Sequence, residues 1–319
     1  MKRFKQIIAV ICCFITLASC GQDHKKKNMN NSFNKIANLY KEVEHYNIEP
    51  EYYIEGYQSG CFYEILVNDV LVFKHYENVG LMNHATPINS RILKSGSQKV
   101  TIKLFPLGKI DSKEYTTIDA DDSFRLKIFK RDKKQPYEAG DYDIVKEHYA
   151  TLTDGLPYYE ETFTFEAEVP YELKGWSESQ VLTEMDQKEL EKEVLSYYKD
   201  FSKIISKKNS EIWQDKLINR EKEIAQANYF KKEDTKEIAE EYLESIKTNF
   251  FEMLPIENYE LVFYGDGKIV KLESKEHKKE SALISIEERD YQGIARKAYI
   301  FHGLSLHKLK DSNKLEIIR

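Results

Sequence analysis

In the run Gln98-Lys99-Val100-Thr101-Ile102-Lys103-Leu104-Phe105, residues 99–104 alternate between polar and apolar. Val100, Ile102 and Leu104 fall on one face of an extended chain, and Lys99, Thr101 and Lys103 on the other. A period of two gives a strand with one dry and one wet face. The same pattern returns at 123–130, where Phe124, Leu126 and Ile128 alternate with Arg125 and Lys127. It returns again at 160–171, where Phe163, Phe165, Ala167 and Val169 alternate with threonine and glutamate. One wet face per strand predicts antiparallel sheets closed over a core, hence an all-β sandwich. Further strands are expected at 51–57, 61–67 and 70–76. Asn68-Asp69 joins the last two, because both residues tolerate the positive φ of a tight hairpin. Pro106 and Pro170 sit at strand ends, where a missing N–H costs least. Upstream, Phe33, Ile36, Tyr40 and Val43 recur at helical spacing, with Asn31 or Ser32 as cap and Pro50 as the limit. This short helix is assigned with the sandwich, giving a first unit over 32–172.

Residues 173–182 carry no periodic pattern and are read as a boundary. Beyond it, 183–319 is expected to be an α+β unit of three helices followed by an antiparallel sheet. The first helix opens on Asp186 with Glu189 in capping-box register, then shows Leu190, Val194, Tyr197, Tyr198, Phe201, Ile204 and Ile205 as a stripe. The second spans Ser210 to Tyr229, and the third begins near Asp234. Strands are expected at 259–264, 268–273, 281–287, 296–302, 304–309 and 314–318, as a meander whose first turn is Gly265-Asp266-Gly267. This element order resembles the nuclear-transport-factor-2-like cone, a curved sheet wrapped around helices. Folds of that type serve enzymes and binding modules alike.

The N-terminus fixes the compartment. Lys2, Arg3 and Lys5 precede an apolar run from Ile7 to Leu17. That run is too short to span a hydrocarbon core of about 30 Å as a helix. Basic residues before a short apolar core are the secretory pattern, so residues 1–19 are read as a signal peptide. Leu17-Ala18-Ser19-Cys20 resembles the lipobox of bacterial lipoproteins. The resemblance implies cleavage before Cys20 and acylation of its thiol. It also implies a membrane-anchored protein of the periplasm. Gly21 after the cysteine favours the outer membrane, facing the periplasm, where the host has two membranes. Residues 20–31, with Lys25-Lys26-Lys27, read as a tether reaching on the order of 20 Å. The basic triplet either rests on anionic headgroups or is plain solvated spacer.

Loss of residues 1–19 removes Lys2, Arg3 and Lys5 and no acid, taking the formal charge from −6 to −9. An acidic exported chain is a poor general ligand for nucleic acid, whose affinity rests on neutralised phosphates. It favours a basic protein partner through long-range steering. Of four cysteines, Cys12 and Cys13 lie in the leader and Cys20 is the acylation candidate. Cys61 alone remains, so the mature chain folds without an internal disulfide.

No catalytic set or cofactor motif emerges. The eight histidines show no ligand spacing for a metal. His302 and His307, the closest pair in sequence, are expected on different faces or strands. Asp119, Asp121 and Asp122 cluster before a strand but lack EF-hand spacing. They read as a solvated acidic loop or as a contact patch for a basic partner. Cys61 reads as a packed thiol. Glu160/Glu161 carry no fixed separation across a cleft. Tyr52, Tyr53, Tyr57, Tyr63, Tyr158 and Tyr159 either face solvent as a glycan or protein platform or fill the strands as aromatics do generally.

Two segments look familiar as a pair: YYIEGYQSGCFYEILVNDVLVF at 52–73 and PINSRILKSGSQKVTIKLFPLG at 87–108. Sandwich domains of glycan-binding type share this grammar. More specifically, the pair is similar to exported immunity proteins coded beside contact-dependent or type VI secreted toxins. The likeness covers residues 52–108 and is structural, so it transfers no functional residue. It implies a non-enzymatic protein that neutralises an antibacterial toxin in the envelope. The competing expectation is a glycan-binding or envelope-scaffold lipoprotein.

Overall fold

The computed structural model describes residues 33–77, 84–136 and 140–319. The leader, Cys20 and the tether lie outside them. The chain folds into antiparallel sheets with a set of helices inserted between the first strands and the last.

A short helix α1 (Asn34–Ala37) comes first. The strands β1 (Pro50–Ser59), β2 (Cys61–Val67), β3 (Val70–His75), β4 (Thr86–Pro87) and β5 (Gly96–Pro106) follow. Then come β6 (Gly108–Ile110), β7 (Lys113–Tyr115), β8 (Ser123–Asp132), β9 (Asp143–Tyr149) and β10 (Tyr159–Ala167). Two four-stranded sheets, ordered β4-β1-β8-β9 and β10-β5-β2-β3, enclose one core, while β6 and β7 form a separate hairpin. Val100, Ile102 and Leu104 are fully buried in that core, as their alternation requires. Ile102 lies opposite Ile65 of β2 and Glu161 of β10. Asn68 and Asp69 hold φ of 50° and 60°, the left-handed pair that a two-residue hairpin needs.

The helices are α2 (Gln187–Ser206), α3 (Ser210–Ala227) and α4 (Lys232–Lys247). Asp186 caps α2 by accepting the N–H groups of Lys188 and Glu189, each at 3.0 Å. Asn209 does the same for α3. The last strands are β11 (Phe251–Met253), β12 (Tyr259–Tyr264), β13 (Ile269–Ser274), β14 (Ile284–Tyr291), β15 (Ile294–Phe301), β16 (Ser305–Lys308) and β17 (Leu315–Ile318).

These last strands depart from the expected meander. They divide into β11-β14-β15 and β12-β13-β16-β17, so β16 returns past the β14–β15 hairpin to pair with β13. The cause is visible at 281–283. Ser281 bridges Glu273, and the Ala282 N–H reaches the Leu272 carbonyl, before the chain leaves that sheet to start β14. Tyr198 of α2 fastens the layers: its hydroxyl donates to the Leu304 carbonyl and accepts the Leu272 N–H at 3.0 Å. Tyr198→Phe orphans both backbone groups in a dry core and is expected to cost about 1–3 kcal/mol, read from denaturant midpoints. An unchanged midpoint would show that water replaces the hydroxyl.

Other expectations need correction. The short helix does not pack on the sandwich. Phe33, Ile36 and Leu39 are buried with Trp213, Leu217 and Ala239 in the helical core, where the Phe33 ring meets Trp213 edge to face at 5.5 Å. The strand expected over 160–171 ends at Ala167, although Val169 and Tyr171 remain buried. β9 and β11 were not expected. Nor is 173–182 a free connector: Trp176 is buried, Ser179 bridges Leu309, and the Gln180 side chain donates to the Leu309 and Ser312 carbonyls.

The two halves meet along an apolar seam. Leu66 and Val70 of the sandwich pack with Trp176, Tyr264, Ile269 and Ile318. At its edge two hairpin turns dock on each other. The Asp69 carbonyl accepts the Gly265 N–H, and its carboxylate accepts the Asp266 N–H at 2.8 Å. Lys99 pairs with Asp266 across the same edge.

Candidate functional site

The acidic loop does not converge on an ion. Asp119 Oδ1 accepts the Gly155 N–H at 2.9 Å and the Thr117 hydroxyl at 3.3 Å. Asp122 Oδ2 accepts the Asp119 N–H at 2.8 Å. Two of the three carboxylates therefore shape the loop and tie it to 154–155, while Asp121 is exposed. Among the described residues, no three histidine, cysteine or acidic side chains group to hold a metal. Cys61 is buried, and burial, with Asp122 adding, pushes its thiol up to about 12, so it does not act as a nucleophile at neutral pH. Glu160 and Glu161 diverge: Glu161 meets His148 at 2.9 Å, and Glu160 turns toward Lys103.

The tyrosines do not form the solvent-facing platform that a glycan site requires. Tyr52 and Tyr63 are core residues, 1% exposed. Tyr53 stacks on Phe129, and Tyr57 lies under the Arg125 guanidinium at 4.1 Å. Of the six, only Tyr158 is exposed.

The chemistry gathers instead between α3, α4 and the β14–β15 hairpin. A cavity of about 480 Å³ opens there. Phe201, Trp213, Leu217, Ile300 and Phe301 supply apolar wall, and Arg220, Tyr242, Arg289 and His302 supply polar wall. Arg220 donates through Nε and Nη2 to Glu221 Oε1, at 2.9 and 2.6 Å, and through Nη1 to the Gly303 carbonyl. The Tyr242 hydroxyl donates to the same Glu221 oxygen at 2.8 Å. Burial works against the charge on Arg220, yet Tyr242 and Glu221 hold its guanidinium above the ordinary value. Arg289 Nη2 reaches Glu287 at 2.6 Å and Ser245 at 2.9 Å, and Nη1 pairs with Glu244.

Serine, histidine and glutamate meet behind this cavity, with His302 alone of the three on its wall. Ser285 Oγ lies 2.7 Å from Glu287 Oε1 and 2.8 Å from His302 Nε2. A hydrolytic triad needs the histidine between acid and serine, so that it can take the hydroxyl proton. Here the serine is in the middle. Its proton goes to Glu287, the His302 Nε2–H donates to its oxygen, and Ser285 is wholly buried. The set is a structural relay rather than an activated nucleophile. Burial pushes His302 down to about 4, with Arg289 adding to the effect and Glu287 opposing it, so the ring is neutral at pH 7.

The register of the hairpin carries this face outward. Ser285, Glu287, Arg289 and Tyr291 stand opposite Ile300, Ala298, Arg296 and Ile294. In an antiparallel pair these all share one side of the sheet. The inner end of that side floors the cavity. The outer end, Tyr291 and Ile294, is 59% and 57% exposed. Across the mouth, Glu237, Glu241 and Glu244 of α4 follow helical spacing as one acidic ridge, and Glu241 and Glu244 line the opening. Ile238, Tyr242, Leu243 and Ile246 of α4 remain only half-covered.

His302 and His307 go to separate partners: His307 Nδ1 sits 2.7 Å from Ser179 Oγ. A second cavity, of about 390 Å³, is lined in part by Ile318 of the seam; of its lining charges Lys222 pairs with Glu42, and Lys174 with Glu178 outside the lining. Among the described residues no helix is long and apolar enough to cross a membrane. Comparison with known proteins finds no matching family model, no matching curated protein and no matching solved structure.

Proposed function

We propose that this chain is an exported protein, lipid-anchored through Cys20, that binds and neutralises a secreted antibacterial toxin in the cell envelope. It would stand at the outer membrane facing the periplasm in a two-membrane host. Its C-terminal half would be a variant of the nuclear-transport-factor-2-like cone, with a hairpin inserted between the strands that close the sheet.

One observation carries the reading. The β14–β15 hairpin presents an exposed tyrosine–isoleucine pair on the same side of the sheet as Arg289 and Ile300, which line a cavity rimmed by acids. Aromatic anchors beside a concavity are what protein interfaces use, and the acidic rim suits a basic toxin. The serine relay, closed on Glu287, favours binding over catalysis. Burial of Tyr52 and Tyr63 removes the main support for the glycan-binding alternative.

Deleting the gene is expected to make cells sensitive to sibling cells that deliver the toxin encoded beside it. Equal survival of deletion and parent strains would end the proposal. Restoring the chain as Cys20→Ser is expected to release it from the membrane fraction and to lower protection. Unchanged membrane attachment would refute the anchor alone.

A further inference from the structure

We infer that the cavity between α3, α4 and the β14–β15 hairpin is a receptor for one cationic side chain, an arginine presented by the protein partner. The inference rests on the binding function proposed above and names the chemistry its site would take.

Charge is the first argument. Two cations, Arg220 and Arg289, line the cavity with two carboxylates, Glu241 and Glu244, and each cation is also tied to a buried carboxylate behind the wall, Glu221 and Glu287. Arg220 is consumed by Glu221, and Arg289 is shared between Glu287 and Glu244. Among the described residues Glu241 has no ion-pair partner. Its carboxyl is raised by burial and then by Glu237, Glu244 and Glu221, against the opposing pull of Arg289. A carboxylate held in the field of three others is relieved by an incoming cation. Arg296, the nearest further guanidinium on the hairpin's inner face, lies outside the cavity, 5.4 Å over Tyr291.

Shape is the second. The walls beside the acids are flat and aromatic: Trp213 and Tyr242 meet edge to face at 5.9 Å, with Phe201 and Phe301 also lining the space. A planar guanidinium stacks on such walls and forks to a carboxylate, whereas an ammonium does only part of this. The buried Arg289 Nε–H has no acceptor among the described residues.

The third argument is access. The exposed Tyr291 and Ile294 give a partner's main chain a landing surface on the same side of the sheet, leading one of its side chains inward.

The test titrates the purified mature chain with N-acetyl-L-arginine amide by calorimetry, beside the matching citrulline and lysine amides. Citrulline keeps the shape and removes the charge. Arginine is expected to bind about tenfold more tightly than citrulline, with lysine between them. Glu241→Gln, an isosteric change at an exposed rim position, is expected to weaken arginine several-fold and leave the thermal midpoint in place. Equal affinity for arginine and citrulline, or no effect of Glu241→Gln, would overturn the inference. The titration reads the cavity without any toxin, and the competition assay reads protection without reference to the cavity. A protected strain whose cavity ignores arginine therefore sinks the inference and leaves the function standing. An arginine-binding chain whose deletion changes no survival does the reverse.

Discussion

Glu221→Ala is expected to destabilise the fold by about 3–5 kcal/mol, the cost of leaving one member of a buried ion pair alone. Glu221 is 5% exposed, and one of its oxygens receives Nε and Nη2 of Arg220 and the hydroxyl of Tyr242. Three donors on one acceptor leave no local substitute when the carboxylate goes. Arg220, with only 15% of its side chain exposed, would keep a full charge with the Gly303 carbonyl as its remaining acceptor on the strand side. Against total stabilities of about 5–15 kcal/mol this is a large fraction. The double change Arg220→Met with Glu221→Leu removes both charges and keeps the volume. It is expected to recover most of the loss, since buried pairs contribute little over apolar replacements. Urea midpoints of the two variants decide it. A single variant that loses less than about 1 kcal/mol would mean that Glu241 or Glu244 swings in to replace Glu221.

The second large effect is acid sensitivity. His302 and His307 are both neutral in the fold, each pushed down to about 4, chiefly by burial and then by nearby cations, Arg289 for one and Lys174 for the other. In the unfolded chain a histidine takes its proton near pH 6.5. Between those values the unfolded state binds protons that the folded state refuses. Stability is therefore full above about pH 6.5 and falls as pH drops toward 4. Each ring withdraws up to about 1.4 kcal/mol per pH unit in that window. Together they reach on the order of 5 kcal/mol by pH 4. Urea midpoints taken from pH 7.5 to 4.5 should slope downward. His307→Gln, which can still bond Ser179, should remove about half of the slope. Carboxylates titrate equally in both proteins, so the difference isolates the imidazole. A wild-type midpoint that stays flat down to pH 4.5 would contradict the burial of both rings.

The sandwich was legible because its strands each own one dry face: Val100, Ile102 and Leu104 announce themselves by alternation, and Asn68-Asp69 announces the turn. β9 was invisible for the opposite reason. Asp143-Ile144-Val145-Lys146-Glu147-His148-Tyr149 is an edge strand wet along most of its length, so nothing forces a period of two. The meander failed because pairing β16 with β13 depends on contacts more than thirty residues apart, which no local pattern encodes. The candidate site was hidden by a reversed signal. Along 284–289, Ile284 and Ile286 look like the core face, and Ser285, Glu287 and Arg289 look like the wet one. In the fold Ser285 and Glu287 are completely buried, their polar atoms met by each other, His302 and Arg289 behind the cavity wall. A serine, a glutamate and an arginine at alternate positions, with histidine and glycine just past the next strand, were the available hint. Their partners on α3 and α4, Arg220 and Tyr242, stand too far away in sequence to complete it.

The docking of the Asp69 turn on the Gly265-Asp266 turn sets an order of events as well as a shape. A ribosome releases this chain from the N-terminal side. Leu66 and Val70 emerge nearly two hundred residues before Tyr264 and Ile269, which cover them, and Ile318 follows later still. Throughout that interval a completed hairpin shows an uncovered oily edge. Contacts so distant in the chain also form slowly. This protein is thus expected to spend its youth as a client of holding chaperones, and to leave them only when its last strand arrives.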